Sequence, residues 1–409
     1  MGRLQYKWVA LALLWVAYFL VQGTRQIYGA TLPMIRADLD VDDVRMGAIA
    51  SAFFFAYAMA VPFGGFVADF FRRKWVIVVG TALFASGIFA ASFASTVGML
   101  LLTYGIVNGI GQSFVPTTST SVIQQLHADS RATALSIYQL GLYAGVILCS
   151  VSAGWIGSLG QSAWRMAFRI FGGFALVWVV VLVLFLHDTP PIAAVGQERA
   201  RMKDGFLALL SKPSAILMML AFGLSNFGDT GLRIWAPTFM MRYFDGITPA
   251  MASFHAVFWF YVGAFVGILV GGRISDALKR QGRLGARLDC NFTGLVLSAP
   301  LVFLAIQASG GIVVFAILMT AFGFVHGFYD ANFIASFYEV ITPRYRTAAY
   351  GLFAGGAFAI ISFAPAVLGW IGSIFSLRTA LSSLVFFYLA AAIVTLVARW
   401  RFFQSDYEQ

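Results

Sequence analysis

Apolar runs of twenty or more residues, separated by short polar stretches, recur from one end of the chain to the other. Read against Gly, Pro and charged breakers, they predict twelve helices. The first half gives Trp8–Met34, Met46–Asp69, Trp75–Ser95, Gly98–Ile123, Ala132–Gly157 and Trp164–His187. The second gives Ser214–Met241, Met251–Ser275, Asp289–Ala308, Gly311–Tyr338, Thr347–Ile371 and Thr379–Ala398. About 20 apolar residues in a helix cross a bilayer. The longest polar stretch, Asp188–Lys212, opens Asp-Thr-Pro-Pro and carries Glu198, Arg199, Arg201, Lys203 and Asp204. It is expected to be an interdomain linker with a short surface helix. The expected architecture is all-α and integral to the membrane: a six-helix bundle over 1–187, a linker over 188–213, and a second bundle with a short tail over 214–409. Arg3 and Lys7 precede a first run too long for a cleavable leader, so it is expected to stay as a signal anchor.

Composition narrows the class. Of 409 residues, 60% are hydrophobic and 11% charged, against about 25% charged in soluble domains. This argues against a soluble enzyme, a nucleic-acid binder or a disordered scaffold. The net charge of +10 sits in short loops, where it sets orientation. With the N-terminus inside, inner segments hold 18 Lys and Arg and outer segments 5. By the positive-inside rule both termini and the linker face the cytoplasm. Cys149 and Cys290 offer no disulfide framework, and the four histidines form no ligand spacing. No metal or cofactor is expected.

The halves repeat. Gly65-Phe-Val-Ala-Asp69-Phe-Phe-Arg-Arg73 follows span 2, and Gly272-Arg-Ile-Ser-Asp276-Ala-Leu-Lys-Arg280 follows span 8. Both read G-x-x-x-D-x-x-x-R. Thr31-Leu-Pro33-Met echoes Ala236-Pro237-Thr-Phe, and Arg131-Ala-Thr-Ala echoes Arg346-Thr-Ala-Ala. Equivalent order and topology mark a parallel duplication of six helices.

With this layout, the two equivalent loops and Trp164-Arg165 at the start of span 6, the whole chain resembles the major facilitator superfamily of secondary transporters. The resemblance implies two bundles around a cavity lined by spans 1, 4, 7 and 10. It implies inner gating for Gly65, Asp69, Arg73, Gly272, Asp276 and Arg280. A carboxylate such as Asp69 can pair with nearby cations or cap a neighbouring helix, holding the inner face shut.

Ionisable groups deep in spans cost roughly 2.5–3.5 kcal/mol each on insertion scales and so nominate a site. They are Arg25 in span 1, Asp229 and Arg233 in span 7, and His326 and Asp330 in span 10. Aligning Pro33 with Pro237 sets Arg25 opposite Asp229. Aligning Val107–Ser113 with Val325–Ala331 sets Asn108 opposite His326 and Gln112 opposite Asp330. Arg25 offers a fork of donors suited to a carboxylate or phosphate; a structural pair with Asp229 is the alternative. Gln22 and Tyr28 lie within a turn of it. Arg233, four residues after Asp229, either pairs with it or joins the ligand set. His326 and Asp330, also four apart, can relay protons, with Asp229 as the third candidate. Gln112, Gln139, Tyr143, Asn226 and Tyr329 are the expected polar and aromatic wall, with Tyr57, Trp235 and Asn332.

Within the superfamily the nearest likeness is to organic-anion carriers, the organophosphate and anion:cation symporter branches. Arg25-Gln-Ile-Tyr-Gly-Ala-Thr-Leu-Pro33 matches their span 1, and Gly231-Leu-Arg-Ile-Trp-Ala-Pro237 their span 7. The second phosphate-binding arginine of the organophosphate carriers falls at Asp229, their span 5 histidine at Leu142, and the span 4 acid of the anion:cation symporters at Gln112. Spinster-type lysolipid carriers share a similar Trp164-Arg165 start but have an acid beside the span 1 arginine that is absent here. The expectation is a monomeric, proton-coupled transporter of a small organic anion, a carboxylate, in a bacterial inner membrane. The partners are that substrate, protons and lipid, with no nucleic acid and no enzymatic activity. The alternative is a proton-coupled exporter of drugs or amphiphiles such as lysolipids.

Overall fold

The computed structural model describes residues 3–189, 202–308 and 311–407. Most of the expected linker lies outside that range. So do the side chains of some helical positions, Gly65 and Asp69 among them, and their expected gating role falls outside the description. Among the described residues the regular elements are all helical. Twelve helices are long and apolar enough to cross a membrane. Spans 1 to 6 are Tyr6–Leu39, Asp43–Gly64, Arg73–Ala91, Val97–Leu126, Thr133–Gly157 and Trp164–Phe185. Spans 7 to 12 are Pro213–Tyr243, Pro249–Arg280, Ala286–Gln307, Gly311–Tyr338, Ala348–Ile374 and Leu377–Asp406.

Several helices outrun their apolar runs. The first, expected over Trp8–Met34, is helical over Arg3–Leu39. The last, expected to stop at Ala398, continues through a π turn at Ala398–Phe402 to Asp406. Hydropathy ends where side chains turn polar. The helical backbone bonds continue past that point, because they do not depend on the side chains being apolar. Span 4 also contains a π turn, Leu101–Val107, just before Asn108. A short helix, Met202–Leu210, precedes span 7. Val177, Leu184, Phe386 and Trp400 are exposed, a liability in water but a match for acyl chains.

The chain divides into two compact units. The first holds the described residues of Met1–Arg199 with Ala236–Met241 and Gly246–Phe254; the second holds Ala200–Trp235, Arg242–Asp245 and His255–Gln409. In the first, span 1 packs on span 5, and span 3 on spans 4 and 6. In the second, span 9 packs on spans 10 and 12. Spans 8 and 10 meet backbone to backbone: a Cβ on Gly323 would lie 2.1 Å from the Phe260 carbonyl oxygen. That contact sets the depth of His326, one turn further along.

The Trp164-Arg165 pair clasps one end of the first unit. Both Trp164 Nε1 (3.0 Å) and Arg165 Nη2 (2.9 Å) donate to Asp38 Oδ2. Arg165 Nη1 also donates to the Ala94 carbonyl at 2.5 Å. One guanidinium thus ties span 6 to the end of span 1 and to the loop after span 3.

Where the ends of spans 8, 9 and 10 meet in the second unit, Arg287 bridges Asp276 and Glu339, each at 3.3 Å. Lys279 also donates to Glu339. Asp276 therefore pairs with Arg287 of span 9, while Arg280 has no ion pair among the described residues. Asp276 is 62% exposed and Glu339 10%. Exposed pairs contribute about 0–1 kcal/mol, and buried acids with several cationic partners more. Asp276→Asn is expected to leave the melting temperature in detergent nearly unchanged. Glu339→Gln, which strips Lys279 of its acid and leaves Arg287 only the exposed Asp276, is expected to lower stability by about 2 kcal/mol. Equal melting temperatures for the two variants would contradict this ranking.

Candidate functional site

Each unit carries a buried polar cluster built on the ionisable residues of its spans. In the first, Arg25 is part-buried in the middle of span 1, and its Nε donates to Gln112 Oε1 of span 4 at 2.6 Å. Gln112 is fully buried. Its amide nitrogen donates to Thr24 Oγ1 and to Asn108 Oδ1, both at 2.9 Å. With both donors spent, the amide can only turn its oxygen to Arg25. The guanidinium lies over the Tyr57 ring at 4.5 Å and the Phe53 ring at 5.6 Å, a cation–π setting. No carboxylate pairs with Arg25 among the described residues. Its Nη2 is buried without a hydrogen-bond partner, which is costly for a charged donor.

In the second unit His326 is fully buried. Its Nε2 lies 3.0 Å from Asp229 Oδ2 and 3.7 Å from Asp330 Oδ1. Neither contact is an aligned hydrogen bond, so the nitrogen sits between two acids. The other Asp229 oxygen accepts from the Tyr388 hydroxyl at 2.6 Å. Ser298 Oγ is 3.5 Å from His326 Nδ1. Phe260, Phe322 and Tyr329 wall the imidazole at ring distances of 5.6–5.8 Å. Asp229 is nearly as buried as His326, whereas the Asp330 side chain is 33% exposed. Arg233 makes no direct ion pair with Asp229 among the described residues; it donates to Thr230 Oγ1 at 3.2 Å and faces Tyr261. Asp229, Arg233, Tyr261 and Phe260 line a pocket of about 10 Å³, the size of one water site.

The contacts do not follow the repeat position for position: Arg25 bonds to Gln112, the aligned counterpart of Asp330, whereas Asp229 meets His326, the counterpart of Asn108. Gln112 bonds in turn to Asn108 four residues earlier, and the four-residue neighbour of His326 is Asp330. The first unit carries a cation with neutral partners, and the second carries acids with a histidine.

The remaining expected residues scatter. Tyr28 is buried, stacked on Tyr104 at 4.6 Å, with its hydroxyl donating to the Met46 carbonyl at 2.7 Å; that hydroxyl is already committed. Tyr329 is buried against Phe333. Asn226 donates back to the Phe222 carbonyl at 3.1 Å. Gln22 and Tyr143 are part-buried, and Gln139 is exposed. Arg73 is buried and donates to Gln125 Oε1 at 2.5 Å. Tyr388 and Tyr261 were not anticipated. Neither lies on a span expected to line the cavity, and a tyrosine in an apolar span carries no local mark of its partner.

A family model described as "Major Facilitator Superfamily" matches residues 14–281 and 218–406. The chain belongs to the Major Facilitator Superfamily. Its family and fold are those of transporters rather than enzymes. Protein spinster homolog 1 of Bos taurus is 28% identical over 304 residues, covering 69% of this chain and 57% of that protein. The chain thus spans little more than half the length of such relatives. The cis,cis-muconate transport protein of Acinetobacter baylyi is 23% identical over 365 residues, covering 84% of this chain and 82% of its own. The crystal structure of a bacterial homolog of the human lysosomal transporter spinster, inward-facing and unoccupied, superposes with a TM-score of 0.83. It covers 99% of both chains at 18% identity. A nucleoside transporter gives 0.70 at 17% identity, covering 98% of this chain and 100% of its own. At these identities the superfamily fold is what the structures share.

Proposed function

We propose that this superfamily member moves a small organic anion, a carboxylate, by alternating access, coupled to protons. The bundles 1–187 and 214–409 would rock about the linker. The observation that carries the reading is the unfilled edge of Arg25. Its Nε is held by Gln112, and among the described residues its Nη2 is buried without a partner and no acid pairs with it. A cation costly to hold in a membrane is thereby aimed and left open for an anion. The Tyr57 and Phe53 rings beside it favour an anion with an aromatic or apolar body. The relative named for cis,cis-muconate supports an organic anion. The same rings also suit an amphiphile, which keeps export of amphiphiles as the second reading.

His326 and its two acids would handle the proton. Inner gating would use Asp69, Asp276 and their neighbouring cations. The protein would sit in a bacterial inner membrane with both termini cytoplasmic. A thermal-shift screen of carboxylates, sugar acids, phosphates and lysolipids on purified protein tests the substrate class. Aromatic or unsaturated carboxylates are expected to stabilise the wild type and not Arg25→Gln. Stabilisation of both proteins alike, or by lysolipids alone, would overturn the carboxylate reading.

A further inference from the structure

The Asp229–His326–Asp330 cluster has a fourth member on span 12. Tyr388 is fully buried, and its hydroxyl donates to Asp229 Oδ1 at 2.6 Å. Asp229 Oδ2 faces His326 Nε2. Each oxygen of this carboxylate therefore has its own partner. Asp330 differs: it accepts no hydrogen bond among the described residues, is one-third exposed, and stands 3.7 Å from the same Nε2.

The fit of Tyr388 is built into the backbone. A Cβ on Gly228 would lie 2.6–2.8 Å from the Tyr388 ring and hydroxyl. A side chain at 228 would thus push the phenol away from Asp229. One residue earlier on each helix, Phe227 and Phe387 stack at 4.0 Å and 10°, fixing the register of span 12 on span 7. The Tyr388 ring also meets His326 edge-on at 5.8 Å, which restrains the imidazole. The charged or titratable groups around His326 are Asp229 and Arg233 from span 7, Asp330 and Tyr329 from span 10, and Tyr388 from span 12, with Ser298 from span 9; Tyr261 from span 8 faces Arg233 and the two acids.

We propose that Tyr388 is a positioning residue that keeps the cluster's shared proton on His326 and off Asp229, leaving Asp330 as the exchanging acid. A donor aimed at a carboxylate favours its charged form. Asp229 then serves as a fixed counter-ion, and a proton leaving Nε2 has its outlet at the exposed acid. The inference rests on reading this cluster as the proton-handling site.

The test uses the full chain in lipid nanodiscs with ¹⁵N-labelled histidine. The His326 signal is assigned by its loss in His326→Gln. The wild type should show an imidazolium at neutral pH. Tyr388→Phe keeps the ring and removes the donor. It should lower the ratio of His326-protonated to Asp229-protonated forms about tenfold, the size expected for one hydrogen bond to a charged group. An infrared band of a protonated carboxyl should appear with it and vanish when Asp229→Asn is added. Gly228→Ala, which displaces the phenol without deleting it, should shift the ratio the same way and serves if Tyr388→Phe fails to fold. An unchanged imidazolium signal in the folded variants would overturn the proposal, as would a new carboxyl band that disappears with Asp330→Asn instead. Wild-type uptake indifferent to a proton gradient would end the coupling reading but leave this equilibrium measurable.

Discussion

Arg25→Lys is expected to lower apparent substrate affinity about 30- to 100-fold in both net uptake and counterflow. Lysine keeps the charge, but it loses the fork that lets one edge hold Gln112 while the other meets an anion. The Gln112 oxygen, 2.6 Å from Arg25 Nε, would compete for the single ammonium. The size follows from losing one charge-assisted bidentate contact, about 2–2.7 kcal/mol. Both modes fall together because both need the anion bound. Uptake and counterflow in proteoliposomes, with protein level checked by fluorescence size exclusion, measure it. Near-normal affinity in Arg25→Lys would mean that the guanidinium is structural and that the anion binds elsewhere.

Asp330→Asn should separate those two modes. Uptake by one-proton symport of a monovalent anion, with no membrane potential, supports about tenfold accumulation per unit of pH gradient, since one unit is worth about 1.36 kcal/mol. Asparagine keeps the shape but exchanges no proton. The accumulation ratio should fall to about one while counterflow persists. The first unit holds a neutral counterpart at the same repeat position, Gln112, so only the second can titrate there. The geometry separates the two acids. Asp330 is part-exposed with one loose contact, whereas Asp229 is buried between His326 and Tyr388. If Asp330→Asn accumulates substrate as wild type does, the proton carrier lies elsewhere and Asp229 is the next acid to replace. Asp229→Asn is expected to harm more than coupling, because it strips the partner from a fully buried histidine.

The sequence alone was enough for the twelve spans. A bilayer requires each crossing segment to be apolar and to satisfy its own backbone hydrogen bonds, so the signal is local to each segment. The six-plus-six repeat was readable there too, because order and spacing are linear properties. Arg25, Asp229, Arg233, His326 and Asp330 stood out because a charge inside a span is costly wherever the chain folds.

What each of these groups touches was decided only by the tertiary structure. Arg233 and Asp229 are four residues apart on one helix, yet the arginine bonds to Thr230 and faces Tyr261. Tyr28, one turn from Arg25, spends its hydroxyl on a backbone carbonyl. Tyr388 reaches Asp229 across 159 positions, through space that exists because residue 228 is a glycine. Glu339 becomes the shared acid of Lys279 and Arg287 only when the ends of spans 8, 9 and 10 converge. Such pairings depend on how helices cross and rotate against one another. Hydropathy and spacing along the chain do not encode that, because a buried tyrosine or glycine has the same local sequence character whatever it packs against.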